Sequence, residues 1–204
     1  MDRITKFPLL DETGQEIVSS LDEINNSMGD YIASNNPYYA YLEDRKIGTL
    51  VSTEITKVRN RALYKRESLI AIDLPKCTTV DQYAFIACTA LSNVNLPECV
   101  KVGQRSFLGC TALSKIIFQK IERMAAGAFE ACSNLETLII KNDTKVCVMG
   151  KELFTNSLSG TKIASGNGYI YVPDKLVQQY KTAYGWDEYA NQIKPLSEYT
   201  ESEA

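Results

Sequence analysis

Apolar residues recur along this chain with a period of 22 positions. Leu69, Leu91, Leu113 and Leu135 form one column at this spacing, and five further columns keep step with it. The other columns are Ile72/Val94/Ile116/Leu138, Leu74/Leu96/Phe118/Ile140, Val80/Val102/Met124/Val146, Phe85/Phe107/Phe129 and Cys88/Cys110/Cys132. A unit of 22 residues cannot bury an apolar face by itself, so units in register predict a stack of coils around a continuous core, which is a solenoid.

Each unit contains the pattern of one strand and one tight turn. Residues 91–96 alternate apolar and polar positions, which is typical of a strand, and Pro97 ends it because proline cannot donate to a ladder. Residues 104–110 are too few for a long helix and fit a single helical or 3₁₀ turn. We therefore expect a β-rich, right-handed solenoid of about five coils.

A degenerate coil precedes the regular ones over residues 47–68. It keeps Val58 and Ala62 but has Leu63 in the phenylalanine column and Arg66 in the cysteine column. A charge in a core column is expected where the last unit of a stack faces water.

The N-terminal residues carry the signature of a helix. Thr13 and Glu16 form a capping box, in which each side chain can serve the other's backbone amide. The apolar residues that follow at helical spacing are Ile17, Leu21, Ile24 and Met28. We consider two alternatives: the helix covers the open end of the solenoid, or it forms a short coiled coil that joins copies of the chain.

The C-terminal residues predict a cap. A strand over residues 169–172 follows the turn-forming 166–168, and Pro173 begins a helix whose apolar side is Leu176, Tyr180, Tyr184 and Trp186. Trp186 either plugs the last core layer or stacks on a ligand. We expect a frayed tail from residue 198, and we divide the chain into an N-terminal helical segment (1–46), the solenoid (47–158) and a strand–helix cap (159–204).

Composition excludes several kinds of chemistry. The chain has 204 residues, a net charge of −3 and no histidine, which removes histidine-dependent nucleophilic catalysis and histidine ligation of metals. Five of the six cysteines lie in two repeat columns, Cys88/Cys110/Cys132 and Cys77/Cys99. We therefore interpret these five as buried reduced thiols that fill the core. Cys147 lies outside these columns and is the candidate for a reactive thiol.

No phosphate-binding, nucleophile-elbow or calcium-binding motif is present, so we predict no enzyme activity, no catalytic residues, no metal and no cofactor.

Charge and hydropathy exclude two classes of partner. Basic residues cluster between positions 57 and 66, but Tyr64 is the single aromatic residue among them and aromatic residues do not alternate with the charges, so we predict a solvated surface and no nucleic-acid binding. No segment approaches the length of a membrane span, which predicts no membrane insertion.

The outward positions of the strands are the candidate binding residues. They form a first ladder, Ala71, Asn93, Lys115 and Thr137, and a second ladder, Asp73, Asn95, Ile117 and Ile139. The second ladder changes from polar to apolar toward the C-terminus. Ile117 and Ile139 form either an exposed binding patch or a surface on which the C-terminal segment docks.

The repeat unit resembles the BspA-type leucine-rich repeat family. The resemblance covers residues 47–158 and is clearest at residues 69–75 and 84–89. It depends on the Ala-Phe-x-x-Cys column. Residues 161–174 also resemble the segment that closes many such chains. The resemblance implies a bacterial protein on the cell surface or encoded by a prophage.

Two functions follow as hypotheses. The first is a non-enzymatic protein that presents a rigid repeat surface to a protein or glycan partner. The second is a structural subunit of a phage-like or surface assembly, oligomerising through the N-terminal helix.

The expected cellular location of the protein depends on whether its N-terminal residues form a secretory signal. Residues 1–8 lack the apolar stretch of a secretory signal, so we expect the cytoplasm or a phage-like particle, export by another route, or a chain trimmed of its signal.

Overall fold

The chain forms a solenoid of short parallel strands with little helix. The computed structural model describes residues 48–53, 55–152 and 155–200, together with three short strands nearer the N-terminus. In chain order the strands are β1 Arg3–Ile4, β2 Leu9–Leu10, β3 Glu16–Val18, β4 Thr49–Val51, β5 Lys57–Val58, β6 Ala71–Asp73, β7 Thr79–Val80, β8 Asn93–Asn95, β9 Lys101–Val102, β10 Lys115–Phe118, β11 Arg123–Met124, β12 Thr137–Ile140, β13 Val148–Met149, β14 Lys151–Glu152, β15 Thr155–Asn156, β16 Tyr169–Val172 and β17 Ile193–Pro195. One α-helix, α1, spans Val177–Thr182, and 3₁₀ turns span Asp174–Leu176, Asp187–Tyr189 and Leu196–Glu198.

Two faces of the solenoid are parallel sheets. The first, which we call the wide face, runs β1-β4-β6-β8 and continues through β10-β12-β16-β17. The second, the narrow face, runs β5-β7-β9-β11-β13, with strands of only two residues. In the regular coils successive strands pair at 22 residues on both faces, for example Ala71 with Asn93 and Thr79 with Lys101. The predicted repeat is confirmed, with about six turns instead of five.

The third side of each coil is a chain of turns, and no helix forms there in the described coils. In residues 105–110 the backbone N–H groups alternate between two kinds of acceptor. Phe107 donates to Ala128 of the next coil (2.9 Å), whereas Cys110 donates to Phe107 within its own coil (3.1 Å). This alternation ties neighbouring coils together and explains why the predicted helical turn does not form.

The turns require two left-handed residues in each coil. One column comprises Arg61, Tyr83, Arg105 and Gly127, with φ between 48° and 64°. The other comprises Lys65, Ala87, Gly109, Ala131 and Gly160, with φ between 54° and 74°. Since most of these residues carry a Cβ atom, the coils hold them in a conformation that only glycine adopts without strain.

The core consists of the predicted columns. Phe85, Phe107 and Phe129 form a stack, with ring centroids 5.0 Å and 5.2 Å apart and nearly parallel planes. The leucines of the first column are buried to the same degree. The 22-residue register therefore stacks side chains of the same type in consecutive coils, as the repeat predicts.

The degenerate coil over residues 47–68 is part of the stack, as predicted, but its arginine is not exposed. Leu63 N–H donates to Ala84 as Phe85 donates to Ser106, which confirms the column assignment. Arg66 is only 4% exposed, so the expectation that its charge faces water is wrong. Its guanidinium lies close enough to Cys88 to act on the pKa of that thiol.

The capping box does not begin a helix at Glu16. Residues 16–18 form strand β3, which pairs antiparallel with β2. This removes the first turn of the predicted N-terminal helix, including Ile17, because strand pairing with Leu9–Leu10 outweighs the local capping signal. Leu21, Ile24 and Met28 lie outside the described residues, and the boundaries at 46 and 158 stay predictions.

The C-terminal segment caps the stack through two aromatic residues. Trp186 is fully buried, and its Nε1–H donates to the Cys147 carbonyl (2.6 Å), while the Tyr180 hydroxyl accepts the Cys147 N–H (2.9 Å). The interpretation of Trp186 as a core plug is confirmed. Tyr184 was predicted on the same apolar side but is 71% exposed, since the helix ends at Thr182.

The expectation of a frayed tail from residue 198 is wrong for residues 198–200. The Tyr199 ring packs edge-on against Tyr171, with centroids 5.0 Å apart. Residues 201–204 are outside the described part of the chain.

Candidate binding surface

The wide face brings the two predicted ladders together in register. Ala71 lies beside Asn93, Asp73 beside Asn95, Lys115 beside Thr137 and Ile117 beside Ile139. These positions alternate with the buried Ile72, Ile116 and Leu138. The geometry of both ladders is therefore as predicted, whereas binding by them stays a prediction.

The N-terminal end of the surface is polar. Asn93, Asn95 and Lys115 are exposed. The Asn95 amide donates to the Asp73 carboxylate at 2.7 Å across the two strands, which fixes both side chains. A contact between exposed polar groups adds little stability, but it orders the surface that a partner would meet.

The apolar end of the second ladder is closed at Ile139. This side chain is 0% exposed although it is not part of the main core cluster, while Ile117 is half-buried. Ile139 pairs with Tyr171 of β16, and the Tyr171 ring contacts Tyr199. Of the two alternatives, docking of the C-terminal segment is therefore correct for Ile139, and an exposed patch at this position is wrong.

Both ladders continue into an aromatic cluster that the sequence analysis did not identify. Tyr169 follows Thr137 in the first ladder, and Tyr171 follows Ile139 in the second. The Tyr169 ring is 6.3 Å from Tyr171, and Lys194 Nζ lies 3.7 Å from the Tyr169 centroid. We call Tyr169, Tyr171, Lys194 and Tyr199 the tyrosine cluster.

The spacing of the last coil hid this cluster. Tyr169 is 32 positions after Thr137, so a search at 22 residues misses it. The signal that could have found it is the alternation in residues 169–172, which places both tyrosines on one side of a strand whose other side, Ile170 and Val172, is buried.

Three of the basic residues between positions 57 and 66 have different surroundings. Lys57 pairs with Asp81 at 3.0 Å, the Arg61 guanidinium lies 5.2 Å from the Tyr83 centroid, and Arg66 is buried. The absence of nucleic-acid binding stays a prediction.

The cysteines are buried free thiols, which supports the core-filling interpretation for the five in columns. They also make a contact that the sequence did not predict. Cys88, Cys110 and Cys132 each donate S–H to the carbonyl of the residue 25 positions earlier, at 3.0 to 3.2 Å. The column thus links consecutive coils by a weak hydrogen bond as well as by packing.

Cys147 is not a reactive thiol in this structure, and that prediction is wrong. Its side chain is fully buried, and burial raises the pKa of the thiol to about 12. A thiol reacts as its thiolate, so a buried group that stays protonated is inert at neutral pH.

No group of three or more potential metal ligands lies together in the part of the chain that the structure describes. Within the same residues no helix is long and apolar enough to cross a membrane.

Comparison with known proteins identifies the family. A sequence model of the BspA type leucine-rich repeat region matches residues 39–179 in six copies. The chain belongs to this family. The leucine-rich repeat protein of T. pallidum (TpLRR) is similar in crystal structure, with 21% identity over 62% of this chain and 69% of that one, and a TM-score of 0.41. No curated protein matches the sequence.

Proposed function

We propose that the chain is a non-enzymatic binding protein whose wide face holds a protein or glycan partner, with the tyrosine cluster as its anchor. Leucine-rich repeat proteins generally bind proteins. The observation that carries this proposal is the placement of exposed Tyr169 on the ladders, 41% exposed, beside the polar Thr137 and Lys115.

The cluster has the properties of a binding anchor. Tyrosine offers a large, stiff ring at small entropic cost, and interface hot spots favour such residues with a polar rim around them. Lys194 above one ring and Tyr199 against another restrict the rings before a partner arrives, which lowers the cost of binding. The same rings suit the C–H faces of a sugar, so the partner class stays protein or glycan.

The test compares two exposed tyrosines. Tyr184 is more exposed than Tyr169 but precedes Gly185, which lies against Met149 of the narrow face. Ligands are selected on the wild-type chain from a displayed peptide library and from a glycan array, and their affinities are then measured for Tyr169→Ala and Tyr184→Ala. We expect Tyr169→Ala to weaken binding at least tenfold and Tyr184→Ala to change it less than twofold.

Equal binding of the selected ligands to both variants would overturn the wide face as the site. Ile117→Asp provides a second measurement, because Ile117 is half-buried and adjoins the cluster through Ile139. Ile139→Asp is not a useful variant, since it would place a charge in a fully buried position and unfold the local structure.

A further inference from the structure

A polar cavity of about 570 Å³ opens along the narrow face, away from the tyrosine cluster. The lining side chains that bear on its chemistry are Asn60, Asp81, Gln82, Lys101, Gln104 and Arg123. Small-molecule sites fall in this range of volume, and their specificity depends on a few placed polar groups. Six of the eight residues that line this cavity carry polar side chains.

The repeat itself builds the cavity. Asn60, Gln82 and Gln104 occupy the same position in three successive coils, so their amides form a column. Lys101 and Arg123 are paired residues on β9 and β11, beside that column. Gly103 and Ala125 line the space between the two columns and carry no large side chain.

The two cations of the cavity have no ion pair among the residues that the structure describes. Elsewhere the coils neutralise charge across neighbouring turns, as in Lys120–Glu98 at 2.6 Å and Lys145–Glu122 at 2.9 Å. Lys101 and Arg123 instead lie side by side on parallel strands, which are about 4.8 Å apart. Like charges opposite each other are unfavourable, so an anion between them would relieve their repulsion.

The cavity also holds an acceptor that a simple anion would not satisfy. Asp81 presents a carboxylate, of which one oxygen is bonded to Lys57. Sulfate has no proton to donate to this carboxylate, whereas sugar hydroxyls can donate to it.

From this combination we propose that the cavity binds a carboxylated sugar, such as a hexuronate unit of an acidic glycan. The Arg123 guanidinium and Lys101 ammonium hold the carboxylate, for which a planar guanidinium is well matched. The hydroxyls donate to Asp81 and accept from the amide of Gln82. This site is distinct from the wide face, and it does not depend on the function proposed for that face.

The experiment titrates the full chain with trigalacturonate at low salt and measures affinity by calorimetry and backbone amide shifts by NMR. Three comparison probes are used: the methyl ester of the same trimer, neutral galactose and inorganic sulfate. We expect binding of the acid alone, with shifts at residues 81–82, 103–104 and 123–125. Failure to bind at millimolar acid, equal binding of the ester, or equal binding of sulfate would overturn the proposal.

Matched variants locate the site. Arg123→Gln and Lys101→Met should each weaken trigalacturonate at least tenfold, while Lys141→Met, which removes an exposed cation on a different part of the surface, should change it less than twofold. Circular dichroism melting confirms that each variant is folded. Equal losses in all three variants would show attraction by net charge instead of a built cavity, and would also overturn the proposal.

Discussion

The regular coils and the coil that closes the stack bury the same core columns with different numbers of residues per coil. Between Leu69 and Ile140 each position recurs after 22 residues. In the next coil Met124 pairs with Met149, which is 25 positions later, and Thr137 pairs with Tyr169, which is 32 later. The core columns resume after every insertion, which shows that packing of buried side chains, and not a fixed count of residues, defines a coil.

The last coil carries two insertions relative to the regular coils. One includes residues 142–144, where Asn142 accepts hydrogen bonds from the amide and hydroxyl of Thr144. Another is the hairpin of β14 and β15. Val146 was placed in the column of Met124 on the sequence, but Met149 occupies it, and Val146 packs only partly against the core. The assignment was wrong because three extra residues precede this strand.

Alkaline pH should have the largest effect, and it compares thiols from both regions. Burial raises the pKa of Cys99 in a regular coil and of Cys147 in the last coil from 9.0 to about 12. The unfolded chain therefore loses these protons first, so stability is complete below pH 9 and falls as the pH rises toward 12. The free energy of unfolding should fall by about 1.4 kcal/mol per pH unit for each such thiol.

Urea unfolding between pH 7.5 and 10.5, with reductant, measures this slope. Cys99→Ala and Cys147→Ala should each reduce the slope of the free energy of unfolding against pH by the contribution of one thiol. An unchanged slope in Cys99→Ala would mean that this thiol ionises equally in the folded chain. If the last coil unfolds separately, only the earlier transition should respond to Cys147→Ala.

Gly168→Ala should detach the closing strand from the regular stack. A Cβ atom at this position would lie 2.7 Å from Glu136 Cα and overlap the carbonyl of the same residue, neither of which can move aside. We expect a loss of about 3 kcal/mol or more in the free energy of unfolding. Asn167→Ala is the control, because its side chain is exposed and should change stability by less than about 0.5 kcal/mol.

Hydrogen exchange shows where the Gly168→Ala effect is felt. Faster exchange confined to residues after 140 is expected if the last coil is a separable unit. Uniformly faster exchange from residue 48 onward would show instead that the whole stack depends on this closing strand.

Ser106 and Ser157 are buried serines in one column, and replacing each with alanine compares a regular coil with the last coil. Ser106 belongs to a regular coil, and its hydroxyl has no hydrogen-bond partner among the described residues. Ser157 is the equivalent residue of the last coil, and its hydroxyl lies 2.8 Å from the Ala125 carbonyl and 3.1 Å from the Gly150 carbonyl. Alanine fills this column at positions 62, 84 and 128.

We expect Ser106→Ala to stabilise the chain by about 1 kcal/mol and Ser157→Ala to destabilise it by about 1–2 kcal/mol, since only the second removes hydrogen bonds. Thermal and urea unfolding of both variants measure these changes. The same sign for both would show that the hydroxyl contacts do not distinguish the two coils.

Repetition explains which features could be predicted from the sequence. Residues such as Phe107 and Cys110 recur in three coils, so each column confirms the others, and the core and strand ladders were correct. Ile139, Tyr169 and Tyr184 depend on a coil that occurs once, where the burial of a side chain is decided by segments 30 to 60 positions away. The strand at Glu16–Val18 likewise depends on pairing with Leu9–Leu10, which a local capping signal does not reveal.

The left-handed turn positions offer the smallest and most direct test of the regular coils. Ala87 and Gly109 occupy the same position in consecutive coils, with φ of 57° and 72°. A Cβ atom on Gly109 would lie 3.8 Å from Ala87 Cα, an ordinary contact, so only backbone strain separates the two residues. Ala87→Gly should therefore stabilise the chain by about 0.5–1 kcal/mol, and Gly109→Ala should destabilise it by a similar amount.

Ala112→Gly is the control for these two variants, because Ala112 lies outside the left-handed columns and glycine there should destabilise the chain through the unfolded state. Urea unfolding of the three single variants measures the signs. If Ala87→Gly destabilises the chain as Ala112→Gly does, the turns do not hold Ala87 in the left-handed conformation in solution. Opposite signs would show that each regular coil is strained at this position and that the contacts between coils offset the strain.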